Sequence, residues 1–433
     1  MNVPEELLRT LVLVNETTDV STRPSNANLA DSAVHAARFT DAPRSHWREL
    51  APPPPSRSFR DGDLHADLVV VGLGAAGLLA VSVAAEAGAR VIGVDAGSIG
   101  RGAAGANGGF LLAGGARFLH DAIDSWGRDR AMKLWDASLR EFAAESTELD
   151  PSVVGMRCCG SLRVAGHPYN AAADPNDDEV DDLRRYAAAL REAGQDPLER
   201  EVGGAPAVYL PCDGWVDPAR RVNALADRAR HAGGMLLEHE TVTAVRPGRV
   251  DLTNRSISCS FILVTVDGHL EELLPGLPVE SWRLQMAYYA AASGARLPVP
   301  TYMRWGFEYG VDLDPLVHGE GFALGGFRDR DLIGERATSW SGPAMPSSSV
   351  QGGIDELAAM IAGRPVAPVR RWAATVSYTE DLWPLVVERL PGVWAVGGLS
   401  GHGNLIGPLA ARAIAGRLTG STVGADILSW LAR

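Results

Sequence analysis

The stretch that most limits what this chain can fold into runs from Asp67 to Gly109. An apolar run, Leu68-Val69-Val70-Val71, reads as a buried strand and leads straight into Gly72, Gly74 and Gly77. A small-residue helical pattern follows from Leu78 to Gly88. A second strand, Arg90-Val91-Ile92-Gly93-Val94, ends on Asp95. Strand, G-x-G-x-x-G, helix, strand and acid together make a dinucleotide-binding unit. Gly72 permits the tight turn, Gly74 lets a pyrophosphate approach the backbone, and Gly77 lets the helix pack close on the strand. With Ala75 and Ala76 they open a helix whose free N–H groups and positive dipole end suit phosphate. Asp95, 23 residues beyond Gly72 and followed by Ala96, is placed to accept ribose hydroxyls. At this point the nucleotide is open between NAD and FAD.

The whole chain bounds the partners. With 433 residues, 46% of them hydrophobic, it suffices for one large or two intertwined domains. A net charge of -13 argues against nucleic acid or an anionic membrane surface as the main partner. Leu68 to Ala85 is long and uncharged enough for a membrane span, but glycines at dinucleotide spacing make it a buried strand and helix. The N-terminus has no basic flank and apolar core resembling a signal peptide. The expectation is a soluble, cytoplasmic protein without a membrane span. Cys158, Cys159, Cys212 and Cys259 show no metal-ligand spacing and read as reduced thiols; no metal is expected. Lys133 is the single lysine, so a Schiff base or lysine proton shuttle would have to use it.

Taken in order, residues 1–66 read as an irregular arm with a polyproline run at Pro52–Pro55. After Asp95, the loop carrying Gly102, Gly105, Ala106, Asn107, Gly108 and Gly109 lets backbone pass close to a bulky ligand and offers N–H donors to it. Residues 116–150 have a helical apolar face, and a strand is expected near 160–166. The acidic run Asp174–Asp182 reads as a solvated loop and helix start. A helix follows over Ala219–Ala232, with strands at Leu236-Leu237, Thr241–Val245 and Phe261–Val266. Strands of the nucleotide-binding sheet thus recur about 170 residues after the first pair, which makes the intervening chain an insertion or second domain. Residues 280–340 read as β-rich, Ser339–Gly353 as a loop and Ile354–Ile361 as a short helix. Finally, strand Val393–Val396, the turn Gly397–Asn404 and a helix over Leu405–Leu418 again aim helix N–H groups at an electron-rich ligand.

Three separated blocks carry a resemblance: Gly72–Gly77 with Asp95; Gly105-Ala106-Asn107-Gly108-Gly109; and Asp381 and Pro384 followed by Gly397-Gly398-Leu399-Ser400-Gly401-His402-Gly403. Over roughly residues 67–420 the chain resembles the FAD-dependent amine and amino-acid oxidases of the D-amino-acid oxidase superfamily, which includes glycine, sarcosine and γ-glutamylputrescine oxidases. The resemblance implies an α/β fold: a Rossmann-like FAD-binding domain built from 67–150, 216–275 and 371–433, with an α+β substrate domain, containing an antiparallel sheet, built from 151–215 and 276–370. It implies FAD contacts from the residues of the first two blocks, from Val242 and Thr265, and from Gly398, Ser400, Gly401, His402, Gly403, Asn404 and Leu405. It also implies oxidation of a small amine or amino acid to an imine, with O2 reoxidising the flavin; the alternatives are an FAD-dependent dehydrogenase using another acceptor and a non-catalytic FAD-binding protein. Sarcosine oxidases carry their flavin on a C-terminal cysteine; no cysteine follows Cys259, so non-covalent FAD is expected. Ala106 stands where the putrescine-type branch has a basic or larger residue, and Lys133 lies far from the matching blocks. As site groups, His402 suits a donor or proton carrier, and Arg304 a bidentate carboxylate clamp. Tyr309, with Tyr288 and Trp372, suits an aromatic wall for an amine.

Overall fold

The computed structural model describes residues 43–53, 64–168, 177–290, 297–303, 308–336, 344–420 and 424–433; Arg304 lies outside them. The strand Leu64–Val71 is central to a mainly parallel sheet, paired with Val91–Val94 on one side and Ser256–Val264 on the other. The sheet order is Leu385–Leu390, Val393–Gly397, Ser256–Val264, Leu64–Val71, Val91–Val94, Met235–Leu237, with the hairpin Val242–Arg246/Arg249–Leu252 hung on Ser256–Val264. Alternation explains why the second half of the first strand, Leu68–Val71, is apolar throughout. Leu68 and Val70 point into a core under the helices, while Val69 and Val71 point into a second core on the opposite face. On the helical face, Ala75–Glu86 packs between Pro218–His231 and Gly403–Leu418, and its alanines and glycine let both neighbours approach.

A second sheet of eight strands runs Arg370–Tyr378, Glu280–Ala290, Gly321–Gly325, Glu308–Asp312, Thr301–Met303, Ser161–Val164, Ala205–Leu210, Leu198–Val202. Its pairs are antiparallel except for Thr301–Met303 with Ser161–Val164. The helix Ser348–Ala362 covers one face through Val350, Ile354 and Leu357.

Several local expectations are corrected. The first strand starts at Leu64, because residues 64–66 already pair with Ile257–Cys259. Within the supposed irregular arm, residues 43–53 carry a short helix, His46–Leu50, whose Trp47 is fully buried. Residues 116–150 hold two long helices, Leu119–Trp126 and Arg128–Glu148, broken at Gly127 with φ 80°. The acidic run is not wholly solvated: Glu179 and Asp182 are buried, the first accepting from the Gly166 N–H, the second 2.8 Å from His120 Nε2. The helix expected from Ile354 starts at Ser348, since Gly353 leaves room for the Phe327 ring and breaks nothing. Among the described residues no helix is long and apolar enough to cross a membrane, and the four cysteines are free thiols.

Candidate functional site

Two adjoining cavities lie along the loop 102–108, where the two sheets meet. The smaller, about 240 Å³, is bounded by Gly72, Gly74, Ala75, Ala76, Asp95 and Ala96 at one end, and by Gly102, Val242 and Thr265. The larger, about 480 Å³, is bounded by Ala106, Gly108, Ser400, His402 and Leu405 on one side and by Tyr302 and Tyr309 on the other. Ala103, Asn107, Val376, Gly401 and Asn404 border both, so the two form one elongated trough. Gly403 faces the smaller part. Gly77, Gly105, Gly109 and Gly398 do not line it. They stand behind the wall: a Cβ on Gly105 would meet the Gly100 carbonyl, and one on Gly109 the Val216 carbonyl. Tyr288 and Trp372 also lie outside the trough. Tyr288 Oη donates to the His318 carbonyl (2.9 Å) and Trp372 Nε1 to the Ala106 carbonyl (2.7 Å).

The chain's own geometry makes the trough receptive to an anionic, elongated ligand. Both helices that begin on it, Ala75–Glu86 and Gly403–Leu418, lack a side-chain N-cap hydrogen bond, so their first N–H groups are left for a ligand. A Cβ on Gly74 would meet only Ala104 Cβ, at 3.3 Å, so the backbone there is bare towards the cavity. Asp95 accepts from the N–H groups of Leu73 (2.7 Å) and Gly97 (2.8 Å), which fixes the acid against the first turn. Burial raises its pKa, and those two hydrogen bonds oppose the rise.

Over residues 67–417 the sequence matches DAO, the family of FAD dependent oxidoreductases. The chain belongs to this family. A curated relative, the probable oxidoreductase OrdL of Rhizobium meliloti, is 24% identical over 404 residues, covering 90% of this chain and 92% of OrdL. The fold is similar to glycine oxidase from Geobacillus kaustophilus (TM-score 0.68, 20% identity, 86% of this chain and 99% of that one). It is also similar to L-proline dehydrogenase from P. horikoshii (TM-score 0.63, 19% identity, 84% and 96%). FAD is the cofactor of the family, and the uncapped helix starts and bare Gly74 backbone fit it.

Residues far apart in sequence hold the far end of this FAD oxidoreductase's trough. Asn404 Nδ2 donates to Asn107 Oδ1 (3.0 Å) and to the Phe110 carbonyl (2.9 Å), joining the third sequence block to the second. Arg221, 1% exposed, donates to the Asn404 carbonyl (2.6 Å) and to Glu145 Oε2 (2.6 Å). Asp267 accepts from Ser377 N (3.1 Å) and Oγ (2.7 Å), while Ser377 Oγ accepts from Gly398 N (2.8 Å) and its carbonyl from Ser400 N (2.9 Å). That network holds Ser400 at φ 51°. Burial raises Asp267's pKa, against its hydrogen bonds to Ser377 and Leu399. His402 is pushed down to about 4 by burial first and by the Arg163 charge second, with the Ser400 backbone opposing. Sequence reasoning missed Arg221, Asp267 and Ser377, because none belongs to a glycine-rich block or a recognisable spacing. Arg117 and Arg328 also border the larger cavity, as do Asp121, Glu280 and Glu380.

Proposed function

We propose that the protein oxidises the C–N bond of a primary or secondary amine, or of an amino acid, to an imine that water hydrolyses, with O2 taking up the electrons. In this reading the smaller cavity holds the ADP half of FAD and the larger holds the flavin ring and the substrate. Bound FAD supplies the hydride acceptor. The observation that carries the reading is the aromatic wall facing the 400–405 turn. Phe110 packs edge-on to Tyr302 and Tyr309 at ring separations of 5.2 and 5.9 Å, and the two tyrosines meet each other at 5.8 Å. Ring faces attract an approaching ammonium, while the apolar surface of the rings favours the neutral amine that hydride loss requires. Tyr302 and Tyr309 stay protonated, their phenols pushed up by burial, so the wall carries no charge of its own.

His402 stays neutral near pH 7, and with so low a pKa it is too weak a base to strip an ammonium. Its role is to orient: the ring borders the larger cavity and lies nearly parallel to that of Tyr302, with the centroids 6.5 Å apart. Arg117 and Arg328 bring positive charge that suits a substrate carboxylate. None of the four cysteines borders either cavity, in keeping with non-covalent FAD.

One observation favours a second reading, a dehydrogenase passing electrons to another acceptor. The single lysine, Lys133, is exposed on the helix Arg128–Glu148 and paired with Asp129 at 2.7 Å, so no lysine is available beside the flavin to promote reaction with O2. The test is anaerobic addition of amines, amino acids and N-methyl compounds to the yellow holoprotein. At least one should bleach the flavin, and air should restore the colour with release of peroxide. If no member of the panel bleaches it, the C–N reading fails. Bleaching without reoxidation in air supports the second reading.

A further inference from the structure

Four consecutive carbonyls of the loop that borders both cavities are each held by a side-chain donor. Gly105 O accepts from Ser45 Oγ (2.6 Å), Ala106 O from Trp372 Nε1 (2.7 Å), Asn107 O from Trp47 Nε1 (2.9 Å) and Gly108 O from Trp215 Nε1 (2.9 Å). The three indoles form a buried cluster: Trp47 meets Trp215 at 6.2 Å and Trp372 at 5.8 Å, both edge-to-face, and none of the three is more than 1% exposed. None borders the trough, whereas Ala106, Asn107 and Gly108 do. The cluster therefore lies on the side of the loop away from the cofactor.

In a trans peptide the N–H points opposite to the C=O of the same plane. Each captured carbonyl thus sends the next N–H the other way. Three of those four N–H groups are used within the protein: Ala106 N and Asn107 N bond to Ala103 O (3.1 and 3.0 Å), and Gly109 N bonds to Asn107 Oδ1 (2.7 Å). The fourth, Gly108 N–H, shares its plane with the carbonyl that Trp47 holds, and it has no partner among the described residues. A buried backbone donor without a partner is rare unless a ligand or water takes it.

We propose that Trp47, from the short N-terminal helix His46–Leu50, is a positioning residue for the flavin: by holding the Asn107 carbonyl it aims the Gly108 N–H at the bound ring. The inference rests on the assignment of the larger cavity to the flavin. Ser45 and Arg48 support the same placement, Arg48 Nη1 donating to the Ile99 carbonyl at 2.6 Å. Without the indole N–H, the Asn107–Gly108 peptide is free to turn its electron-rich carbonyl towards the ring.

Two substitutions separate the hydrogen bond from packing. Trp47→Phe keeps an aromatic ring and loses the donor. Trp47→His loses the benzo ring but can place Nε2–H where the indole N–H lies. The expected result is FAD binding to the apoprotein weakened roughly tenfold in Trp47→Phe, with a shifted visible flavin band. Trp47→His should stay closer to wild type on both readouts, whatever their order in thermal stability. If affinity and band follow ring size, with the His variant the worse, the proposal is overturned and Trp47 merely packs. Hydrogen exchange of the wild-type protein gives a reading independent of variant folding. FAD should protect the Gly108 amide, and an unchanged Gly108 rate while the Gly74–Ala76 amides become protected overturns the proposal even where the flavin assignment stands. Protection absent from both places would instead point to failure of the cavity assignment itself.

Discussion

At Gly77 the first turn and the helix above it come so close that a methyl group has no place. A Cβ there would collide with the Gly72 carbonyl and lie 2.8 Å from Thr265 Oγ1, each residue just past the end of one of two adjacent central strands. Gly77→Ala should therefore destabilise the fold by about 1–3 kcal/mol. Differential scanning calorimetry should show a lower Tm, and gel filtration should strip the flavin; a variant with wild-type Tm and full flavin content would show that the contact relaxes freely. His402 sets a different test. Because it is held neutral well below pH 7, the alkaline rise of kcat/KM should follow the substrate's own ammonium ionisation. His402→Asn should lower kcat/KM while leaving the midpoint of that limb in place. A limb that disappears with the imidazole would make His402 the base after all.

Among the elements, the helix Pro218–His231 acts as a brace through one side chain. Arg221 joins Glu145 on the helix Arg128–Glu148 to Asn404 at the start of Gly403–Leu418, and Asn404 in turn holds Asn107. Removing one member of a buried ion pair leaves the other charge uncompensated, which typically costs about 3–5 kcal/mol. Arg221→Met should lose stability on that scale in urea titrations, and adding Glu145→Leu should restore a large part of it. Strict additivity of the two substitutions would mean the pair is not coupled. None of this was legible beforehand. Arg221 and Asn404 are 183 positions apart, and no periodicity links an arginine inside an amphipathic helix to a turn so distant. The helix itself was legible, because its apolar spacing, its proline after Asp217 and its closing glycines are local signals.

For the whole molecule, acid is the expected weak point. His46 and His402 are both pushed from 6.5 down to about 4, chiefly by burial; for His46 the neighbouring His318 and Arg370 add to the effect, while Asp217 opposes it. Between those limits the unfolded chain binds more protons than the native one, so stability rises with pH. The contribution is present in full above 6.5 and is lost as pH falls towards 4, at most about 3 kcal/mol for each histidine. Asp95, Asp213 and Asp267, raised by burial, push the other way. Comparing variants isolates the histidine part: Tm should fall less steeply from pH 6.5 to 4 in His46→Gln than in wild type, and an identical slope would rule His46 out. His46 sits next to Trp47 and stacks on Tyr288 at 3.7 Å, so acid would loosen the helix that holds the 105–107 loop.

The sequence by itself determined a dinucleotide site, and the resemblance carried by three separated blocks narrowed it to FAD. A glycine turn, a helix start and an acid at the end of the next strand are chemistry carried within 30 or so residues, where local spacing and backbone freedom are enough. It also marked the loop 102–109 and the turn 397–404 as close to that ligand, because small residues record where backbone must approach. Only the tertiary structure decided which of those glycines face the trough and which, like Gly105, Gly109 and Gly398, make room behind it. The same holds for the three tryptophans. Trp47, Trp215 and Trp372 belong to three separate stretches: Trp47 comes from a segment that reads as an irregular arm, Trp215 reads as an ordinary apolar position, and Trp372 reads as part of an aromatic wall that the fold places outside the trough. Their shared task appears only once the fold brings three indole N–H groups to three consecutive carbonyls. Hydrogen-bond direction across a folded core leaves no trace in spacing along the chain.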